Sequence, residues 1–193
     1  MREHGVSAEQ MPFIGSDPEL FDAFYSEHLE DLQRFVARRV GDPERAADLT
    51  ADIFVAAISS AHRYHPRAAP KAWLYGIARI VVAEDRRRSA RERAREMRLR
   101  GSALLDEEEA ARIERRIDAA AGSRRLYEAM DSLSEDERAV LELVAIDEMT
   151  VADAAAAVGV RPVTARVRLH RARRKLRTEL EAAANFNLNP SKE

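Results

Sequence analysis

The stretch "TVADAAAAVGVRPVTARVRLHRARRKL", Thr150 to Leu176, limits the fold more than any other part of the chain. A threonine, whose hydroxyl can accept from an orphan backbone N–H, precedes an alanine-rich run in which Val151, Ala154, Ala155 and Val158 recur at i, i+3, i+4 and i+7, the spacing of one helix face. Gly159 follows, free of the Cβ strain that a left-handed helix end imposes, and Pro162 brings a ready φ to the first position of a second helix. Ala155 is small where two helices must approach, with Gly159 four residues later and Ala165 six beyond. This combination predicts a helix-turn-helix.

Helix starts elsewhere are punctuated as clearly. Asp17-Pro18-Glu19 and Asp42-Pro43-Glu44 each set a capping acid before a proline, with a second acid at the positive end of the helix dipole. They open helices over about 17–40 and 43–61; Leu20, Phe24, Leu32, Phe35 and Val36 mark the apolar face of the first, and Leu49, Ile53, Ala56 and Ala57 that of the second. Two prolines make "RYHPRAAPK" a loop, and "AWLYGIARIVVAEDRRRSARERAREMRLR" reads as one long helix turning from apolar to basic. From about Ser89 to Gly122 charges mix, an acidic run "DEEEA" appears and large apolar residues thin out, which marks a linker. Ser134 and Glu137 then form a capping box ahead of Ala139, Val140, Leu143 and Val144. The expected architecture is all-α: an N-terminal extension (1–16), a helical domain (17–92), a linker (93–122), a second, smaller helical domain (123–182) and a polar tail (183–193).

Composition narrows the function classes. The formal net charge is −2 over 193 residues, so a uniformly basic coat is excluded and the interest lies in how charge is distributed. Glu128 to Glu148 is acidic, whereas Arg161 to Arg177 holds seven arginines and a lysine with no acid. Opposite charge on separate elements, joined by a flexible linker, predicts a compact free chain whose halves mask one another. Cysteine is absent, which excludes disulfides and thiolate-bound zinc. The apolar runs are too short to span a bilayer, and the first residues lack a signal-peptide core; a cytoplasmic location without membrane insertion is expected. His4, His28, His62, His65 and His170 are dispersed, and no phosphate loop, nucleophile elbow or paired-acid motif is present. No metal, cofactor or catalytic site is expected, and the chain does not read as an enzyme.

The basic run sorts by helical phase. At about 100° per residue, Ala165, Leu169, Ala172, Leu176 and Leu180 share one stripe while the cations cover the remaining circumference. The first turns of such a helix enter a major groove, so Thr164, Arg166, Val167 and Arg168 are candidates for base edges: arginine binds guanine bidentately and valine meets a thymine methyl. Arg171, Arg173, Arg174 and Lys175 are placed for phosphates.

The segment from Ser132 to Arg177 resembles region four of the extracytoplasmic-function sigma factors, small two-domain members of the bacterial primary sigma family. "AADLTADIFVAAISSAHRYHPRAAPKAWLYGIARIVVAEDRRRSAR" resembles their region two, in the same order and at a suitable separation. The resemblance covers roughly Phe21 to Arg177, and "WLYGIAR" with "RLHRARRKLR" carries most of it. It implies a promoter-specificity subunit that binds core RNA polymerase and reads the minus-ten and minus-thirty-five elements of promoter DNA, with an anti-sigma factor as a further partner. Region two would dock on the β′ clamp helices through Asp48, Asp52 and Phe54, and region four would rest on the β flap through Leu133, Val140 and Leu141. The minus-ten strand, held unpaired, would meet Tyr64, Arg67, Lys71, Tyr75, Arg79, Arg86, Arg87 and Arg88, a basic groove with aromatic faces. Trp73 reads as core, since Leu74, Ile77 and Val81 mark the buried side nearby.

Ile80 stands where the family usually has a polar residue, and Val163-Thr164-Ala165-Arg166-Val167 replaces a common Gly-Thr-Val-Lys-Ser string. These departures bear on the promoter sequence. Two rival readings share parts of the pattern: a sigma mimic that binds an anti-sigma factor, and an autonomous helix-turn-helix regulator acting as a dimer. The first usually carries a receiver domain, and the second leaves the region-two resemblance unexplained.

Overall fold

The computed structural model describes residues 5–40, 42–66, 68–100, 129–130 and 132–188, with backbone alone over 96–100 and 182–188. Helix α1 spans Pro18–Ala37, α2 Pro43–Ser60, α3 Pro70–Arg100, α4 Glu135–Ala145, α5 Val151–Ala157 and α6 Pro162–Leu188; 3₁₀ turns lie at Met11–Phe13 and Ala61–Arg63. No strand occurs among the described residues. Most of the expected linker, the "DEEE" run included, lies outside them, as do Arg67 and residues 189–193.

The caps form as local chemistry dictates. The Asp17 carboxylate accepts from the Glu19 and Leu20 N–H groups, and Asp42 accepts from Glu44 N–H at 2.9 Å. Ser134 and Glu137 exchange both bonds of the capping box. Thr150 accepts from Asp153 N–H, and Gly159 takes φ +70 at the end of α5, so both signals of the turn act as their chemistry requires.

α1, α2 and α3 pack mutually around Phe24, Leu32, Phe35, Leu49, Ile53, Phe54, Leu74 and Tyr75. Residues 5–16, set apart in the sequence as an extension, join this core: Met11 and Ile14 are completely covered and Val6 nearly so. Gly15 lets the segment close down, since a Cβ there would sit 2.9 Å from the Ile58 carbonyl oxygen. A second core, Leu133, Val140, Leu141, Ala155, Ala165, Leu169 and Ala172, holds α4, α5 and α6 together.

The two halves are themselves packed. α5 lies along α3, with Ala157 facing Gly76, and Leu143, Met149, Ala154 and Ala157 belong to the first core. At the end of α1, Arg38 pairs with Asp147 and Arg39 with Glu142, with all four side chains at least two-thirds covered. Arg39 also lies 3.6 Å over the Phe35 ring and donates to the Phe35 carbonyl at 2.9 Å. Glu148 takes a left-handed φ of 54 in the turn that carries Asp147 inward, a conformation non-glycine residues seldom adopt.

Candidate nucleic-acid interface

Burial divides α6 into two faces. Ala165, Leu169 and Ala172 are buried against α4 and α5 and Leu176 is half-buried, while Val163, Arg166, Val167, His170, Arg171 and Arg174 all face outward. These outward positions recur at i, i+3, i+4, i+7, i+8 and i+11, so they form a single stripe. A helix carrying such a stripe at its N-terminal end, held by a tight turn on a preceding short helix, fits a major groove.

Two other cations of α6 are held within the domain. Arg168 pairs with Asp136 at 2.7 Å with its side chain only 24% exposed. That contact turns it away from the outward stripe. Lys175 reaches Glu137 at 2.8 Å; this hydrogen bond, outweighing burial and aided by Ser134, holds the Glu137 carboxyl below its ordinary range. Thr164 is half-buried, and Arg173 is exposed beside the stripe.

On α3 the expected single-strand residues separate further. Tyr75 is fully buried, with its ring 4.8 Å from Phe35 and its hydroxyl without a partner among the described residues. Burial pushes that phenol far above its usual range. In the closed chain it belongs to the first core and presents no face to solvent. Tyr64 is buried too; its hydroxyl donates to the Ala68 carbonyl and its ring stands edge-on to Trp73 at 5.5 Å, so it pins the loop. Lys71 pairs with Asp31 at 2.8 Å. Arg79 is covered by α5 and reaches the Ala157 carbonyl at 3.4 Å; burial pulls its guanidinium below the ordinary value, against the pull of Asp136 and Glu135. Arg86 and Arg87 are exposed, and Arg88 joins Arg45 on the buried carboxylate of Asp85. Burial would raise that carboxyl, but the two guanidinium hydrogen bonds prevail and lower it.

On α2, Asp48 and Asp52 are exposed one turn apart, whereas Phe54 is buried and packs among Phe21, Phe24 and Tyr25. The apolar residue on the acidic face is Val55, 61% exposed. Phase alone could have found it, since Val55 lies seven residues after Asp48 and three after Asp52. Beside this face a groove of about 800 Å³ runs between α2 and α3, lined by Leu49, Asp52, Val81, Asp85, Arg88 and neighbours. Leu133, Val140 and Leu141 are buried in the second core and offer little surface.

Comparison with known proteins agrees with this layout. Residues 24–92 match Sigma-70 region 2 and residues 123–176 match Sigma-70 region 4. The chain is 33% identical over 183 residues to the ECF RNA polymerase sigma factor SigC of Mycobacterium tuberculosis, covering 93% of each chain. It is 27% identical over 171 residues to the ECF RNA polymerase sigma factor SigX of Bacillus subtilis, covering 84% of each. Its fold is similar to that of CnrH, solved in complex with the cytosolic domain of CnrY, with a TM-score of 0.60 at 26% identity over 91% of this chain and 95% of that one.

Proposed function

The chain belongs to the extracytoplasmic-function RNA polymerase sigma factors, and from that membership we propose how its parts divide the work of starting transcription. The outward stripe of α6 reads a duplex minus-thirty-five element, with Arg166 on a guanine edge and Arg171, Arg173 and Arg174 on phosphates. The acidic face of α2, Asp48, Asp52 and Val55, docks on the polymerase. Arg79, Arg86 and Arg87, with the loop before α3, meet the unpaired minus-ten strand once the halves separate. An anti-sigma factor is a further partner; CnrH, similar in fold to this chain, was solved with the cytosolic domain of CnrY bound. Members of this family act in transcription initiation rather than as enzymes. None of the described helices is long and apolar enough to cross a membrane.

One observation carries the duplex assignment: three arginines and two valines project from a single face of a helix whose opposite face is sealed in the core. The test is reconstitution. Purified chain with core polymerase should initiate from a promoter selected out of genomic fragments, and neither component alone should do so. Failure to bind core polymerase at any ionic strength would sink the reading, and tight operator binding by a polymerase-free dimer would favour an autonomous regulator.

A further inference from the structure

On the minus-thirty-five face, Val163 is 63% exposed and Val167 is 47% exposed, among the few large aliphatic side chains that the described residues leave in solvent. They stand one helical turn apart on the stripe that carries Arg166, Arg171 and Arg174. An exposed aliphatic pair between arginines does nothing for the fold, because the core lies on the other side of the helix. The arginines oppose a cationic partner and suit a polyanion, and on a helix seated by a tight turn on a preceding short helix the duplex groove is the polyanion that fits and also presents apolar groups.

We infer that Val163 and Val167 are specificity residues that each seat the C5-methyl group of a thymine, so that the duplex element read by this protein carries two thymines flanking the guanine bound by Arg166. This rests on the duplex reading proposed above and names what that reading selects.

The chemistry favours thymine over the other bases. In the major groove thymine alone presents a methyl; cytosine presents an N–H₂ donor, adenine a donor with an acceptor, and guanine two acceptors. A valine pressed on any of those polar edges strips its water and returns no hydrogen bond, which is unfavourable. β-Branching adds precision, since valine in a helix holds essentially one χ1 rotamer and its methyls stand in fixed places before DNA arrives. Four residues of helix advance about 6 Å, and base pairs are stacked about 3.4 Å apart, so the two methyls belong to steps about two base pairs apart. Arg166, three residues after Val163 and next to Val167, falls between them on the stripe.

The test uses the whole chain with core polymerase, on promoters whose upstream duplex segment is randomised and selected for binding. Two selected positions about two base pairs apart should be thymine on one strand or the other. Replacing each thymine with deoxyuridine removes only the methyl and should weaken binding about fourfold, the effect of burying one methyl-sized group. Val163→Ser should abolish the uracil effect at one position and Val167→Ser at the other, whereas Arg174→Ala should weaken binding to every sequence and leave both uracil effects intact. Equal binding of thymine and uracil at every selected position overturns the inference, and so do uracil effects that persist in both serine variants. If the serine variants instead lose core polymerase while DNA discrimination is unchanged, the pair belongs to a protein interface and the inference is wrong. In all these cases a selected, transcribed promoter leaves the sigma reading standing; a chain that forms no holoenzyme removes that reading together with this one.

Discussion

Truncating Arg39 to alanine tests the closed arrangement of the two halves at its most covered ion pair. Side-chain exposure is 15% for Arg39 and 13% for Glu142, and breaking a buried pair by removing one partner costs about 3–5 kcal/mol. Two features lower that figure. Glu142 keeps Arg138 at 2.8 Å, so its carboxylate is not stranded, and burial already pulls the Arg39 guanidinium below its ordinary value, so truncation returns part of a desolvation penalty. About 2 kcal/mol remains for the pair, and losing the guanidinium 3.6 Å above Phe35 adds about 0.5–1 kcal/mol. Together these shift the docking equilibrium by roughly a hundredfold. Small-angle scattering of the free chain should show a larger radius of gyration for Arg39→Ala than for the parent, and the melting curve should resolve into two transitions. A single-stranded minus-ten oligonucleotide should bind the variant more tightly, because Arg79 is released from α5. Arg34→Ala removes only exposed contacts to Glu30 and Asp31 and should change neither profile. An unchanged scattering curve and a single unshifted transition in Arg39→Ala would refute the reasoning.

Other outcomes follow from the same geometry. Arg166→Ala should alter minus-thirty-five preference by about 1–3 kcal/mol at one base pair, while Arg174→Ala weakens binding to all sequences and lowers the salt slope by about one; equal effects on every sequence would erase that division. Asp52→Lys should abolish capture by core polymerase with no change in melting temperature, since the side chain is exposed on α2, as a pull-down beside a thermal melt would show. Acid should loosen the second core. The Glu137 carboxyl is held below its usual value of 4.5, chiefly by Lys175, so its contribution is complete above the unfolded pKa and is lost as pH falls through the folded one. Melting temperature of the α4–α6 half should therefore drop below about pH 4.5, and Lys175→Gln should flatten that slope.

What the sequence disclosed was set by local rules. The caps at Asp17, Asp42, Ser134 and Thr150, the left-handed Gly159 and the small residues Ala155 and Ala165 depend on neighbours within a few positions, and each is found in the role its chemistry suggested. What stayed hidden depends on distant partners. An arginine on a basic helix looks the same whether it meets phosphate or, like Arg168, a carboxylate thirty-two positions away in Asp136. Tyr75 beside a row of cations has the look of a base platform, and only its packing on Phe35 in the first core shows it sealed in the closed chain. Phe54 and Val55 differ by one residue, about 100° of helix, and that step decides which of them faces solvent. Residues 5–16 carry Val6, Ala8, Met11, Phe13 and Ile14 in no sustained helical or strand period, so the burial of Met11 and Ile14 had to come from the structure.

Acids and bases are nearly equal in number, and many of the carboxylates are paired with cations within the chain. Asp31 takes Lys71, Asp85 takes Arg45 and Arg88, Glu137 takes Lys175, Asp136 takes Arg168, and Asp147 and Glu142 take Arg38 and Arg39. Arg166, Arg171 and Arg174 hold no such pair among the described residues and stay on the surface in the closed chain, as do Asp48, Asp52 and Val55. The masking is thus one-sided: it falls on α3 and spares both α6 and α2. On the proposed assignment, the surfaces left open are those for polymerase and duplex, both needed before strands separate, and the covered one, around Arg79, is needed only afterwards. A closed chain of this kind can be recruited without presenting its single-strand surface to stray unpaired nucleic acid, because α5 must leave α3 before Arg79 is free.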